Sequence, residues 1–169
     1  KTYIAVYAGL ELLEEEEFTK LVYIRSIVES AEKSLGSLPG EIDDKFSPYA
    51  IPLDEKVIEI AGNGACNMLK QKGLIEAIPV NFVRGLTFNK TLVVVDEAQN
   101  LSRKELTTIL TRFGRNSKYI VIGDCNQADV NKSGYKEIFN MFNTHQCREN
   151  DIFSFKFGTA EISRSKILR

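Results

Sequence analysis

The chain has no tryptophan, one histidine, two methionines and three cysteines in 169 residues. Each scarcity removes a class of function. The cysteines, Cys66, Cys125 and Cys147, are odd in number and lack CxxC spacing. That argues against a disulfide framework and fits a reducing, cytoplasmic location. The lone histidine, His145, lies two residues from Cys147. Side chains that close in sequence rarely reach nucleophile–base geometry, no third group orients them, and a zinc site needs more ligands. No run approaches 18 apolar residues, so no membrane span is expected, and the start lacks the basic-then-apolar pattern of a secretory signal. Charge of one sign is also missing: 22 Lys and Arg against 23 Asp and Glu leave a net −1. Nucleic-acid binding would therefore need a local patch. Arg112, Arg115 and Lys118 are candidates, although cations clustered at a helix C-terminus would look the same.

What is present suits one compact domain. A chain of this length can bury roughly 70% of its unfolded surface, and an apolar fraction of 43% gives no sign of disorder. The most informative stretch is Thr91 to Leu101, TLVVVDEAQNL. A continuous apolar run marks a strand buried on both faces, and the carboxyl ends of such strands are where open α/β sheets bind ligands. This one ends in Asp96 and Glu97, followed by Gln99. In a nucleotide hydrolase the first acid holds Mg²⁺, usually through its water shell, and the second orients an attacking water. A helix N-terminus that welcomes acids through its dipole is an equal reading of these residues alone.

The pattern along the chain alternates between the two periodicities. Helical spacing follows Thr2, and Glu14 to Glu17 form a solvated face. A strand is expected near Leu21 to Ile24, then a Gly- and Pro-rich loop from Ser34 to Pro52. A helix then runs to about Lys72, with an interruption at Gly62-Asn63-Gly64. Strands near Ile75 to Ile78, Leu92 to Val95, Tyr119 to Ile122 and Ile152 to Phe157 bring the total to five. Helices are expected at Ser102 to Phe113, where Ser102 and Glu105 form a capping box, at Tyr135 to Phe142, and from Ala160. Strands separated by helices imply an α/β fold, a three-layer, mostly parallel, doubly wound sheet.

The chain opens Lys1-Thr2 and runs directly into a helix, as a phosphate-binding loop ending in Gly-Lys-Thr does. Lys1 would reach the β- and γ-phosphates, and Thr2 would offer its hydroxyl to Mg²⁺. The strand ending at Ile122 leads into Gly123-Asp124-Cys125-Asn126-Gln127. Gln127 is placed to sense the γ-phosphate, and Asp124 to anchor the loop on backbone amides. With Ser34 to Leu53, Asn81 to Asn100, Leu110 to Val130 and the closing FSFKFGTAEISRS, these motifs resemble the ATPase domain of PhoH-like proteins, P-loop NTPases related to superfamily 1 helicases. The similarity covers nearly all of residues 1–169 as one domain. The family's phosphate loop has glycines and a feeding strand before Lys-Thr, so the natural protein is expected to begin well before Lys1. Ser163-Arg164 stands where the family usually has Val-Arg.

The resemblance implies a RecA-like, Mg²⁺-dependent ATPase. Its catalytic residues would be Glu97, Gln127 and Arg164, the last as an arginine finger in cis or from a neighbouring subunit. It also implies coupling to RNA or single-stranded DNA, and homo-oligomeric rings. Two other classes stay open: a nucleotide-binding or nucleotide-dead scaffold that recruits nucleic-acid enzymes, and a two-metal nuclease using Asp96, Glu97, Asp124 and Asp129. Arg84-Gly85 could contact phosphate or serve as a structural loop, and Arg25 at the end of its strand has the same ambiguity.

Overall fold

The computed structural model describes residues 1–26, 42–128, 133–158 and 161. The Ser34 loop up to residue 41, Asp129, Arg164 and nearly all of the helix expected from Ala160 lie outside these residues. The chain divides into two compact units, Lys1–Tyr135 and Lys136–Arg169.

The first unit carries a parallel sheet of four strands: β1 (Lys20–Arg25), β2 (Ile75–Pro79), β3 (Thr91–Asp96) and β4 (Lys118–Val121), in the order β2-β1-β3-β4. This is the expected doubly wound α/β arrangement of the P-loop NTPase type. Parallel neighbours cannot be joined by tight turns, so helices make the crossovers. These are α2 (Ile42–Ala61) and α3 (Asn63–Gln71) between β1 and β2, and α4 (Arg103–Leu110) between β3 and β4; α1 (Thr2–Glu14) precedes β1 and packs on the sheet. From β1 the chain moves outward to β2, then returns to the other side of β1 for β3. That reversal opens a crevice beyond the carboxyl ends of β1 and β3.

Alternation along the strands decides which residues meet. Leu21, Tyr23, Leu92 and Val94 join one cluster with Ala5 and Val6 of α1, Leu53 and Val57 of α2, and Cys66 of α3. Val22, Ile24, Val93 and Val95 occupy the opposite face and are equally shut off from water. All six residues of β3 are buried, as its unbroken apolar run requires. By the same period of two, Arg25 and Asp96 lie on the α1 side of the sheet, paired in register at the strand ends. Gly9 lets α1 approach: a Cβ there would strike Leu21 and sit 2.8 Å from Leu92 Cδ2. Ser102 caps α4 through the full reciprocal box with Glu105, and Glu14 to Glu17 are exposed.

Three expectations are corrected. The loop expected to reach Pro52 is helical from Ile42, because Tyr49, Leu53 and Val57, four residues apart, bury a continuous stripe that outweighs Pro48 and Pro52. The helix starting at Ser102 stops at Leu110 instead of Phe113, whose backbone forms a bridge with Phe88. Residues Ile152 to Phe157 form no strand, so the described residues contain four strands rather than five. Phe153, Phe155 and Phe157 have strand periodicity, but a strand needs a partner's backbone, and all three rings are exposed. The described part of the second unit contains most of α5 (Tyr135–Phe142), α6 (His145–Arg148) and this segment.

Candidate functional site

Four elements converge at the crevice: the N-terminus of α1, the ends of β1 and β3, and the loop after β4. Thr2, at the first position of α1, donates its hydroxyl to Asp96 at 3.0 Å from Oδ1 and 3.1 Å from Oδ2. Lys1 Nζ donates to the Gly123 carbonyl at 3.1 Å and lies 3.7 Å from the Asp124 carboxylate. The first bond within α1 runs from the Ala5 N–H to the Lys1 carbonyl. The N–H groups of Thr2, Tyr3 and Ile4 therefore have no acceptor inside the helix, which makes this end attractive to an anion.

Asp96 is 4% exposed and needs compensation for its charge. Tyr23, fully buried on the same side of the sheet, donates its phenol to Asp96 Oδ2 at 2.6 Å. Burial, and then the negative charge of Asp96, push the Tyr23 phenol far above its usual range, so it remains a neutral donor. Immediately after, Glu97 adopts the left-handed conformation, with φ 50° and ψ 38°. A non-glycine residue held there costs about 1–3 kcal/mol, a strain typical of functional turns. It ends β3 and starts a single 3₁₀ turn, Ala98–Asn100.

Gln99 ties this turn to the next loop. Its Nε2 donates to Glu97 Oε2 at 2.6 Å and lies 3.5 Å from the Gln127 carbonyl. Its Oε1 accepts from the Asp124 N–H at 2.9 Å. Asp124 accepts from the Asn126 N–H at 3.0 Å, the expected loop-anchoring role, and from the Gln127 side chain at 3.1 Å. Arg25 stands 3.8 Å from Glu97 Oε1.

The structure thus brings Lys1, Thr2, Asp96, Glu97 and Gln127 around one crevice, although Gln127 is turned onto Asp124. Two contributors had no role assigned from sequence: Tyr23 and Gln99. Tyr23 had a legible signal, since a phenol in the middle of a buried aliphatic strand must find an acceptor. Gln99 is 1% exposed, and nothing in a linear sequence shows that a glutamine after two acids turns inward. As ligands, the Thr2 hydroxyl and the Asp96 carboxylate are hard oxygen donors. They suit Mg²⁺, which binds through one or two carboxylates plus substrate phosphates. Among the described residues no three His, Cys, Asp or Glu side chains gather as a metal cage. Asp96, Glu97 and Asp124 do not meet as such a cage; Asp129, the fourth ligand of the nuclease reading, lies outside the described residues.

Comparison with known proteins adds an independent finding. The family profile described as PhoH-like protein matches residues 1–169. A PhoH-like protein of Bacillus subtilis is 37% identical, over 78% of this chain and 41% of that protein. A PhoH-like protein of Synechocystis sp. is 38% identical, over 77% of this chain and 39% of its own length. Protein PhoH of Escherichia coli is 30% identical, over 99% of this chain and 47% of its own length. The chain thus spans less than half the length of each of these relatives.

Proposed function

This chain belongs to the PhoH-like protein family, and on that premise we propose that it is an ATP-binding and ATP-hydrolysing domain acting on RNA or single-stranded nucleic acid. The observation that carries the reading is the Thr2 hydroxyl held on the Asp96 carboxylate across 94 residues of sequence. A helix N-terminus with a lysine beside it binds phosphate, and a hydroxyl facing a carboxylate accommodates the accompanying cation. Both features meet at the reversal point of a parallel sheet.

In this reading Lys1 leaves Asp124 and Gly123 for the β- and γ-phosphates. The cost is small, because a partly exposed pair 3.7 Å apart contributes under about 1 kcal/mol. Thr2 and Asp96 would hold Mg²⁺, which when bound supplies charge neutralisation at the phosphate oxygens. Tyr23 keeps the Asp96 carboxylate oriented. Glu97 accepts a hydrogen bond from the attacking water once Arg25 and Gln99 release one of its oxygens. Gln127 turns from Asp124 toward the γ-phosphate, and Gln99 links both movements. Arg164 supplies the positive charge of a finger. Catalysis is then positioning and charge stabilisation without a covalent intermediate. A cytoplasmic location accords with the free Cys66, Cys125 and Cys147. Assembly into a homo-oligomeric ring would let Arg164 act on a neighbouring subunit.

A second reading has its own support. Both Glu97 oxygens are engaged, one by Arg25 and one by Gln99, as a nucleotide-binding scaffold without turnover would have them. One experiment separates the two. In the full-length protein, Glu97→Gln should keep Mg-ATP affinity within about twofold and lower hydrolysis by at least ~100-fold. Hydrolysis at the wild-type rate in that variant would disprove the role of Glu97. A wild-type protein that binds ATP without hydrolysing it would establish the scaffold.

A further inference from the structure

A second concave feature lies outside the nucleotide crevice. An open groove of about 560 Å³ is lined by Arg84, Arg103, Lys104, Thr107, Thr108, Thr111 and Arg112. Four of its seven lining residues are cations and none is an acid, in a chain whose total charge is only −1. The cations come from two places in the sequence, Arg84 in the turn after β2 and Arg103, Lys104 and Arg112 in and just after α4. The three threonine hydroxyls are committed: Thr107 donates to the Arg103 carbonyl at 2.8 Å, Thr108 to the Lys104 carbonyl at 2.9 Å, and Thr111 to the Thr107 carbonyl at 2.9 Å. The groove's remaining side-chain donors belong to Arg and Lys. Arg112 donates through Nη2 to the Thr111 hydroxyl at 3.4 Å, while its Nε is buried without a hydrogen-bond partner.

We propose that this groove is the track for the phosphodiester backbone of a single-stranded polynucleotide. The inference rests on the nucleic-acid part of the reading above and assigns it a surface. Charge complementarity selects a polyanion, and neighbouring residues favour one with bases. Phe113, next to Arg112, is 60% exposed with its ring 5.2 Å from that of Tyr119. Phe82, two residues before Arg84, is 57% exposed. Exposed aromatic rings close in sequence to these cations would supply stacking surfaces for bases while the cations follow the backbone, the combination that binds single strands. Of the three cations named from sequence for a local patch, only Arg112 lines the groove; Arg115 and Lys118 do not. The groove's helix begins six residues after Glu97, and its cap, Ser102, directly follows Leu101 at the end of the 3₁₀ turn. A shift of Gln99 during nucleotide turnover would thus be passed along the backbone to the groove.

The test uses the full-length protein and fluorescently labelled 20-nucleotide oligouridylate and oligodeoxythymidylate, with anisotropy read over a salt series. Neutralising Arg84 and Lys104 together, R84Q with K104Q, should weaken binding of the strand by about tenfold at low salt and reduce the log–log salt slope by about 0.7 per cation removed. The Lys56→Gln control, which removes a partly exposed cation elsewhere, should leave both unchanged. Mg-ATP affinity, measured in parallel, should match the wild-type value in both variants. Wild-type affinity in the double variant overturns the groove and leaves the nucleotide site intact. Failure of the wild-type protein to bind either strand, with ATP binding retained, overturns both the groove and the nucleic-acid part of the proposed function. Displacement of the strand by polyglutamate as effectively as by unlabelled oligonucleotide overturns the proposal in favour of an acidic protein partner. Oligouridylate bound more tightly than oligodeoxythymidylate supports it and identifies RNA; the reverse supports it for DNA.

Discussion

Replacing Tyr23 by phenylalanine removes one oxygen and leaves the packing intact. The ring is fully buried and keeps its volume, so no cavity forms. What is lost is the 2.6 Å bond to Asp96, a carboxylate only 4% exposed that water cannot re-solvate. Hydrogen bonds to charged groups contribute about 1.5–3 kcal/mol, so Tyr23→Phe should destabilise by about 2 kcal/mol at pH 8. The Thr2 hydroxyl, still at 3.0 Å, keeps the penalty from being larger. The pH dependence has a definite sign. Folding holds the Tyr23 phenol protonated above its unfolded-state pKa, so its contribution is fully present below about pH 10. It is lost as pH rises beyond that, because the unfolded chain ionises and the folded one does not. Urea unfolding followed by circular dichroism should show a constant gap between the two proteins from pH 7 to 9 and a narrowing gap above about pH 10. Equal stability at pH 8, or a gap that persists undiminished at pH 11, would refute the argument that Tyr23 supports the Asp96 charge.

Gly9→Val should lower stability by about 1–3 kcal/mol or more, seen as a lower thermal midpoint, because its branched side chain would enter the space of Leu21 and Leu92. Ser102→Ala removes the hydroxyl half of the α4 capping box, leaving the residue-102 N–H on Glu105, and should cost about 1 kcal/mol, with a matching shift in the urea midpoint. Gln99→Leu keeps the bulk but leaves the Asp124 N–H unpaired and unlinks Glu97 from the Gln127 loop. On the proposed reading it lowers kcat by about tenfold or more with little change in Mg-ATP affinity, as loss of a supporting contact does. Unchanged steady-state turnover would show that the link is structural only.

Much of the architecture was legible because local chemistry and global fold agree. The unbroken run ending at Asp96 could only be a strand buried on both faces, and Ser102 with Glu105 could only open a helix. Parallel strands and crossing helices follow from that alternation, and Lys1, Thr2, Asp96, Glu97 and Gln127 were candidates through motifs shared with nucleotide hydrolases and through the family resemblance. Where two signals competed, the sequence misled. Pro48 and Pro52 suggested a loop, yet the buried stripe of Tyr49, Leu53 and Val57 favours the helix, a balance visible only once the sheet beneath is present. The alternating phenylalanines near the end suggested a strand, but periodicity cannot supply the neighbouring backbone that a strand requires.

The remaining contributions to the site came from tertiary structure alone. The strand register sets Arg25 beside Asp96, and the period of two turns Tyr23 and Asp96 to the same side as α1. The left-handed turn at Glu97 brings Gln99 inward to hold two loops at once. The groove formed by Arg84 and the α4 segment joins cations far apart in a chain with almost no net charge. A sequence specifies which groups are available and the periodicity of their local elements. Which of them come within 3 Å depends on how strands choose neighbours and how helices pack across them, and that depends on the whole core at once.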